Sequence, residues 1–218
     1  MRLPLLLVAF AALLSAPAFA EGAPDNSAAT PEQAVATPAG KFIQDLGNRA
    51  VKIVADKDET AEQRSQKYHA MLHESLDLPT IGHFVLGRAW NTATPAQLAE
   101  YMKLFEALVV KTYGDRLNFY SGEGFRVIAA RPESDSDVVV GSEITHADGS
   151  QPTHVDWRVR QRNGKLGVID VVVEGISQSV TQRQEYTSII QRNGGDIEPL
   201  LASMRQSLQQ GQQQAQNP

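Results

Sequence analysis

The stretch THVDWRVRQRNGKLGVIDVVVEG, Thr153 to Gly175, decides the fold class. Val155, Trp157 and Val159 alternate with Asp156, Arg158 and Arg160, a period of two that sets apolar side chains on one face of a strand and charges on the other. Asn163-Gly164 follows, a dipeptide suited to the left-handed turn of a two-residue hairpin because both residues accept positive φ. Lys165 to Gly175 reads as the returning strand, rich in β-branched residues. Two strands joined so tightly are antiparallel, and the sheet has one covered face and one wetter face.

Two more runs precede this pair, Phe125 to Ala130 and Val138 to His146, with Asp148-Gly149 at the next joint. The expected sheet is therefore a four-stranded antiparallel meander. Helical periodicity flanks it on both sides. Phe42, Leu46, Ala50, Ile53 and Val54 mark a helix from about Pro38 to Asp56. Thr60, with Gln63 at the capping-box position, opens a second that Pro79 is expected to stop. Ile81 to Leu86 forms a short helix closed by Gly87. Thr94-Pro95 caps and opens the longest, in which Leu98, Tyr101, Met102, Phe105, Leu108 and Val109 share a face that Leu104 and Val110 widen. Two helices follow the sheet after Ser177, one marked by Val180, Tyr186, Thr187, Ile189 and Ile190 and ending at Asn193-Gly194-Gly195, the other by Ile197, Leu200, Leu201, Met204 and Leu208. The fold class is α+β, with helices over one sheet face.

The 218 residues divide unevenly. Residues 1–20 read as a signal peptide: Arg2, an apolar run too short to span a bilayer, and a small-x-small site at Ala18-Phe19-Ala20. Residues 21–37 are expected to be a flexible linker and residues 209–218 a disordered Gln-rich tail, since neither carries apolar bulk to offset the entropy of ordering. Residues 38–208 remain as one domain. The net charge of −5 disfavours nucleic acid as a partner. The absence of cysteine excludes disulfides, thiolate metal sites, a cysteine nucleophile and a lipid anchor on cysteine.

Catalytic constellations are weak. His69 and His73 are four apart on a helix, a metal-ligand spacing, yet residue 70 is Ala where a metalloprotease motif has its acid, and a solvated helix face explains the pair equally. Asp170 and Glu174, evenly spaced on one expected strand, could pair as general acid and base or serve as hydrogen-bond anchors. Neither a nucleophile elbow nor a phosphate loop is present, and no cofactor is called for. The apolar stripe of the longest helix, the segment Ile81 to Trp90 and one sheet face either fill an ordinary core or enclose a cavity for an apolar ligand.

Several runs bear on that choice. Phe84-Val85-Leu86-Gly87-Arg88, Trp90, and Ala93-Thr94-Pro95-Ala96-Gln97 together resemble the signature of the periplasmic MlaC family of lipid-binding proteins, the toluene-tolerance auxiliary family. Similar positions follow in order at Phe105, Leu108, Tyr113, Leu117 and Tyr120, then Asp170-Val171 and Glu174-Gly175-Ile176-Ser177. Thr181-Gln182-Arg183, Ile190-Gln191-Arg192 and Gly194-Gly195 are closer to the hopanoid-associated branch, HpnM. Asn91, His83 and Gly167 depart from residues common in the family. The resemblance implies a non-enzymatic periplasmic carrier, exported without a lipid anchor. Its ligand would be a phospholipid or a hopanoid. Its implied partners are an inner-membrane ABC transporter complex with a membrane-anchored lipid-binding subunit, and an outer-membrane lipoprotein complex.

An enclosing pocket suits such a ligand, because two acyl chains of roughly 30 methylenes would cost on the order of 24 kcal/mol if exposed. The expected wall comprises Phe84, Val85, Leu86 and Trp90 from the signature segment, and Leu104, Phe105, Leu108 and Tyr113 from the longest helix. Val155, Trp157 and Val159 would come from the third strand and Val171 and Val173 from the fourth. Arg88 and Arg183 are the expected contacts to a head group or a partner protein.

Overall fold

The computed structural model describes residues 30–114 and 124–216, without the side chains of 113–114 and 211–216. The expected signal peptide, Leu117 and Tyr120 lie outside the described residues. Helix starts follow the caps in the sequence. Thr37 accepts a hydrogen bond from Gly40 N at the head of α2 (Pro38–Ala55), and Thr60 with Gln63 forms a complete capping box on α3 (Ala61–Ser75). Before them, residues 31–37, expected to belong to the flexible linker, are ordered: α1 (Pro31–Ala36) has its own capping box from Thr30 and Gln33, and Ala34 is fully buried. The capping box fixes its start, and Ala34 and Val35 pack it onto the sheet core.

Pro79 does not stop α3. That helix ends at Ser75, and Pro79 lies in the first turn of α4 (Leu78–Leu86), where Asp77 caps Thr80 N. A proline fits there because its missing N–H has no helical partner to lose. Gly87, at φ 61, closes α4 and leads into a 3-10 turn over Gly87–Asn91. Helix α5 (Pro95–Gly114) opens with Thr94 Oγ1 accepting from Gln97 N.

The sheet is an antiparallel meander of β1 (Gly124–Pro132), β2 (Asp137–Thr145), β3 (Thr153–Arg162) and β4 (Lys165–Val173), in that spatial order, with a fifth strand added. Asn163 (φ 50) and Gly164 (φ 75) make the predicted left-handed turn. A second turn of the same hand, Glu174 (φ 47) and Gly175 (φ 79), ends β4 before Gly175 and returns the chain as β5 (Ile176–Ser177), paired with Val172 and Val173. Glu174 is therefore in a turn, and it shares no strand face with Asp170.

A bulge fixes the faces of β4. Val159 pairs with Val168 and Arg158 with Asp170, so Ile169 has no opposite residue. Beyond it Val171 and Val173 pair with Trp157 and Val155, on the apolar face, while Asp170 stays with Arg158 on the charged one. The open edge of β4 is covered where Leu76 bridges Val168 and Asp77 N donates to Val168 O at 2.9 Å.

Helices α6 (Gln178–Arg192) and α7 (Glu198–Gln216) complete the fold. The backbone of α7 runs through most of the segment expected to be disordered, since extending an existing helix with good helix formers such as Gln costs far less than starting one. Two apolar cores result. One joins α1, α2 and α3 to the sheet through Ile43, Met71, Val140, Val159 and Val168. The other lies among α4 to α7 around Val85, Tyr101, Phe105, Leu200 and Leu201. Leu76 packs on both.

Candidate functional site

Between the two cores lies an apolar cavity of about 190 Å³. The helical core supplies Ile81 and Val85 from α4, Phe105, Leu108 and Val109 from α5, and Tyr186 from α6. The sheet side supplies Leu72, Leu76, Trp157 and Val171. Tyr68, Thr112, Gln178 and Gln182 add polar groups; with Thr112 exposed and the other three half-buried, they form a neutral rim.

The wall is held by few polar contacts. Trp157 Nε1 donates to Ser142 Oγ at 2.8 Å, and that hydroxyl donates onward to Val155 O at 3.0 Å with Ser142 fully buried. Tyr101, behind Phe105 and stacked on it at 5.7 Å, donates to Gly82 O at 3.0 Å. Burial pushes the Tyr101 phenol up and that of Tyr186 up to about 12, so both stay neutral beside the cavity.

Of the expected wall residues, Val85, Phe105, Leu108, Trp157 and Val171 line this cavity. The others do not. Leu86 and Val159 are sealed in the two cores, Val155 is buried, and Trp90 and Leu104 pack on the helical core. Val173 does not reach the cavity, although it shares the face of Val155. Phe84 points the other way, 40% exposed, and the Tyr113 side chain lies outside the described residues. Leu72, Leu76, Ile81, Val109 and Tyr186 were not expected. Each follows the apolar period of its helix or its end, which does not distinguish a cavity wall from a packed core.

A larger polar cleft of about 730 Å³ lies on the charged side of β4, lined by α4, the 3-10 turn, α6 and the sheet. Arg88 and Arg183 border it together, along with Phe84, His83, Arg158 and Arg160. Asp170 and Ser179 line both cavities and form the partition between them. Asp170, 4% exposed, accepts from Ser177 Oγ at 2.7 Å and from the amides of Val171 and Ser179 at 2.9 and 3.1 Å. Glu174 accepts from His154 N at 2.6 Å. The two carboxylates are spent on separate backbone anchors, which removes the acid and base pair. His73 pairs with Glu106 at 3.0 Å and His69 contacts Ser65 at 3.3 Å. No group of three or more metal-ligating side chains occurs among the described residues.

Residues 44–206 match the family model described as MlaC protein, well over half of the chain. The chain belongs to the MlaC family. Every residue lining either cavity falls inside the MlaC match. Toluene tolerance protein ttg2D of Pseudomonas putida is 26% identical over 125 residues, 57% of this chain and 58% of that one. The intermembrane phospholipid transport system binding protein MlaC of Haemophilus influenzae is 25% identical over 138 residues, 62% of this chain and 64% of that one. The matches thus span somewhat under two thirds of these curated relatives. In architecture the chain is similar to a phospholipid-binding protein from Ralstonia solanacearum, solved in complex with a phospholipid. The TM-score is 0.69 at 22% identity, over 78% of this chain and 97% of that one. No helix among the described residues is long and apolar enough to cross a membrane.

Proposed function

We propose that this MlaC-family chain is a periplasmic, non-enzymatic phospholipid carrier that holds acyl chains between its two cores. The observation that carries the reading is the apolar cavity between helices and sheet, with a neutral polar rim, inside the family match. The names of its relatives, a phospholipid transport binding protein and a phospholipid complex, support the same cargo. At about 190 Å³ the cavity is smaller than the roughly 300–1,000 Å³ typical of ligand pockets. Loading therefore requires the helical core and the sheet core to move apart along their thin shared boundary. Its proposed partners are an inner-membrane ABC transporter complex with its membrane-anchored lipid-binding subunit, and an outer-membrane lipoprotein complex; the relative named as the binding protein of an intermembrane phospholipid transport system supports a transporter partner.

A hopanoid is the second reading. The stretch resembling the hopanoid-associated branch includes Gln182 on the cavity rim and Arg183 in the polar cleft. Competition between a hopanoid and a phospholipid for lipid-stripped protein separates the two: displacement of bound phospholipid by an equimolar hopanoid would overturn the phospholipid assignment. Lipid extraction and mass spectrometry of the purified chain test carriage itself, and protein that takes up no lipid from vesicles would contradict it.

A further inference from the structure

We infer that the polar cleft beside the apolar cavity is a phosphate-binding site, with Arg88 and Arg183 as its ligating residues; this deepens the carrier reading and, for one source of the phosphate, rests on it. Four guanidinium groups border the cleft, and two are already neutralised. Arg160 forms two bonds with Asp137 at 2.7 and 2.6 Å, and Arg158 donates to Glu133 at 3.0 Å. The third carboxylate, Asp170, is buried, accepts from Ser177 and two amides, and lies 3.9 Å from the Arg158 guanidinium. Arg88 and Arg183 have no carboxylate partner among the described residues. Arg88 is exposed and makes no hydrogen bond among the described residues, and Arg183 uses Nη1 on Phe84 O at 3.1 Å and lies over the Phe84 ring at 4.8 Å.

The local backbone sets both residues beside Gly87. A Cβ on Gly87 would lie 3.2 Å from Arg183 Nη2 and 3.3 Å from its Cζ, so the glycine next to Arg88 is what admits the second guanidinium at this spot. The Phe84 ring fixes that guanidinium and leaves the rest of its fork unused. Two guanidiniums without a carboxylate partner among the described residues, both lining the 730 Å³ cleft, suit the multiple oxygens and charge of a phosphate group. The phosphate has two possible sources: the phosphodiester of a lipid whose chains pass the Asp170 and Ser179 partition, or a water-soluble phosphate ester.

The test follows the arginine Nε–H signals of the full chain by NMR, in lipid-stripped and lipid-loaded forms, during titration with inorganic phosphate and glycerol 3-phosphate. Chloride serves as the ionic-strength control. The inference expects saturable shifts at Arg88 and Arg183 and none at Arg49 and Arg126, which pair with Glu74 and Glu143. Arg88→Gln, an exposed change whose folding is checked by thermal melting, should weaken phosphate binding about tenfold or more. Loss of the response on lipid loading would assign the site to the lipid head group, and an unchanged response to a free ester; either upholds the phosphate site. Shifts no larger than those with chloride would overturn it while leaving carriage intact, whereas absence of lipid from the loaded sample would count against carriage instead.

Discussion

Ser142 shows how much of the cavity wall depends on one hydroxyl. It is fully buried, accepts from the Trp157 indole and donates to Val155 O. Ser142→Ala leaves the indole N–H without its partner and should cost about 1–3 kcal/mol, read as a lower urea midpoint with unchanged slope. An unshifted midpoint would show the bond to be dispensable. Asp137 makes a pH prediction. The Arg160 guanidinium, then the Ser136 hydroxyl, hold its carboxyl below the usual value of 3.8. A depressed folded-state value means that the stabilisation is present above the usual carboxylate value and is lost as pH falls through the lower, folded one. Arg160→Leu should therefore be less stable than the parent at neutral pH, with the gap narrowing below about pH 4. A gap of constant size across that range would contradict the assignment. Neither role is written in local sequence: Ser142 sits in an ordinary strand pattern, and Asp137 meets Arg160 only through the register of β2 on β3.

At the level of elements, close approach decides where a methyl group can be added. Gly47 in α2 faces Phe125 in β1, and a Cβ there would sit 2.0 Å from the ring. That ring is packed edge-on to Trp157 at 6.3 Å and cannot retreat without moving the cavity wall. Gly82 in α4 instead meets Met102 Sδ at 2.7 Å, a flexible thioether. Gly47→Ala should destabilise by about 1–3 kcal/mol, while at Gly82 the gain in helix propensity offsets much of the smaller cost. Thermal melts should place Gly47→Ala clearly below Gly82→Ala, and the reverse order would refute this packing. Most elements were legible because their punctuation is local: Thr60 with Gln63, Thr94-Pro95, Gly87 and Asn163-Gly164 each stand where the structure uses them. The second left-handed turn was not, because Glu174-Gly175 follows three valines and Glu is an unusual residue at positive φ. The unpaired Ile169 was equally silent, and with it the shift that sets Asp170 opposite Arg158 and Val171 opposite Trp157. Pro79 misled because a proline marks the first turn of a helix as readily as the end of one.

For the whole molecule, the sequence announced apolar faces but not which of them meet. Val85, Phe105, Leu108, Trp157 and Val171 line one cavity because α4 and α5 belong to one core and the sheet to the other. Leu86 and Val159 have the same chemistry and are sealed inside those cores. Only tertiary packing separates the two groups. Arg88 and Arg183, each expected to contact a head group or a partner protein, share a cleft on the far side of Asp170 from the apolar space. Filling the apolar space without breaking either core should abolish carriage: Leu108→Trp adds bulk where the cavity offers room, at a stability cost of at most about 1–3 kcal/mol. Native mass spectrometry of the parent chain and Leu108→Trp, each after incubation with phospholipid vesicles, is the most direct test. The account predicts the added mass of a diacyl phospholipid on the parent and bare polypeptide for the folded variant. Bare polypeptide for the parent, or equal lipid on both, would contradict it.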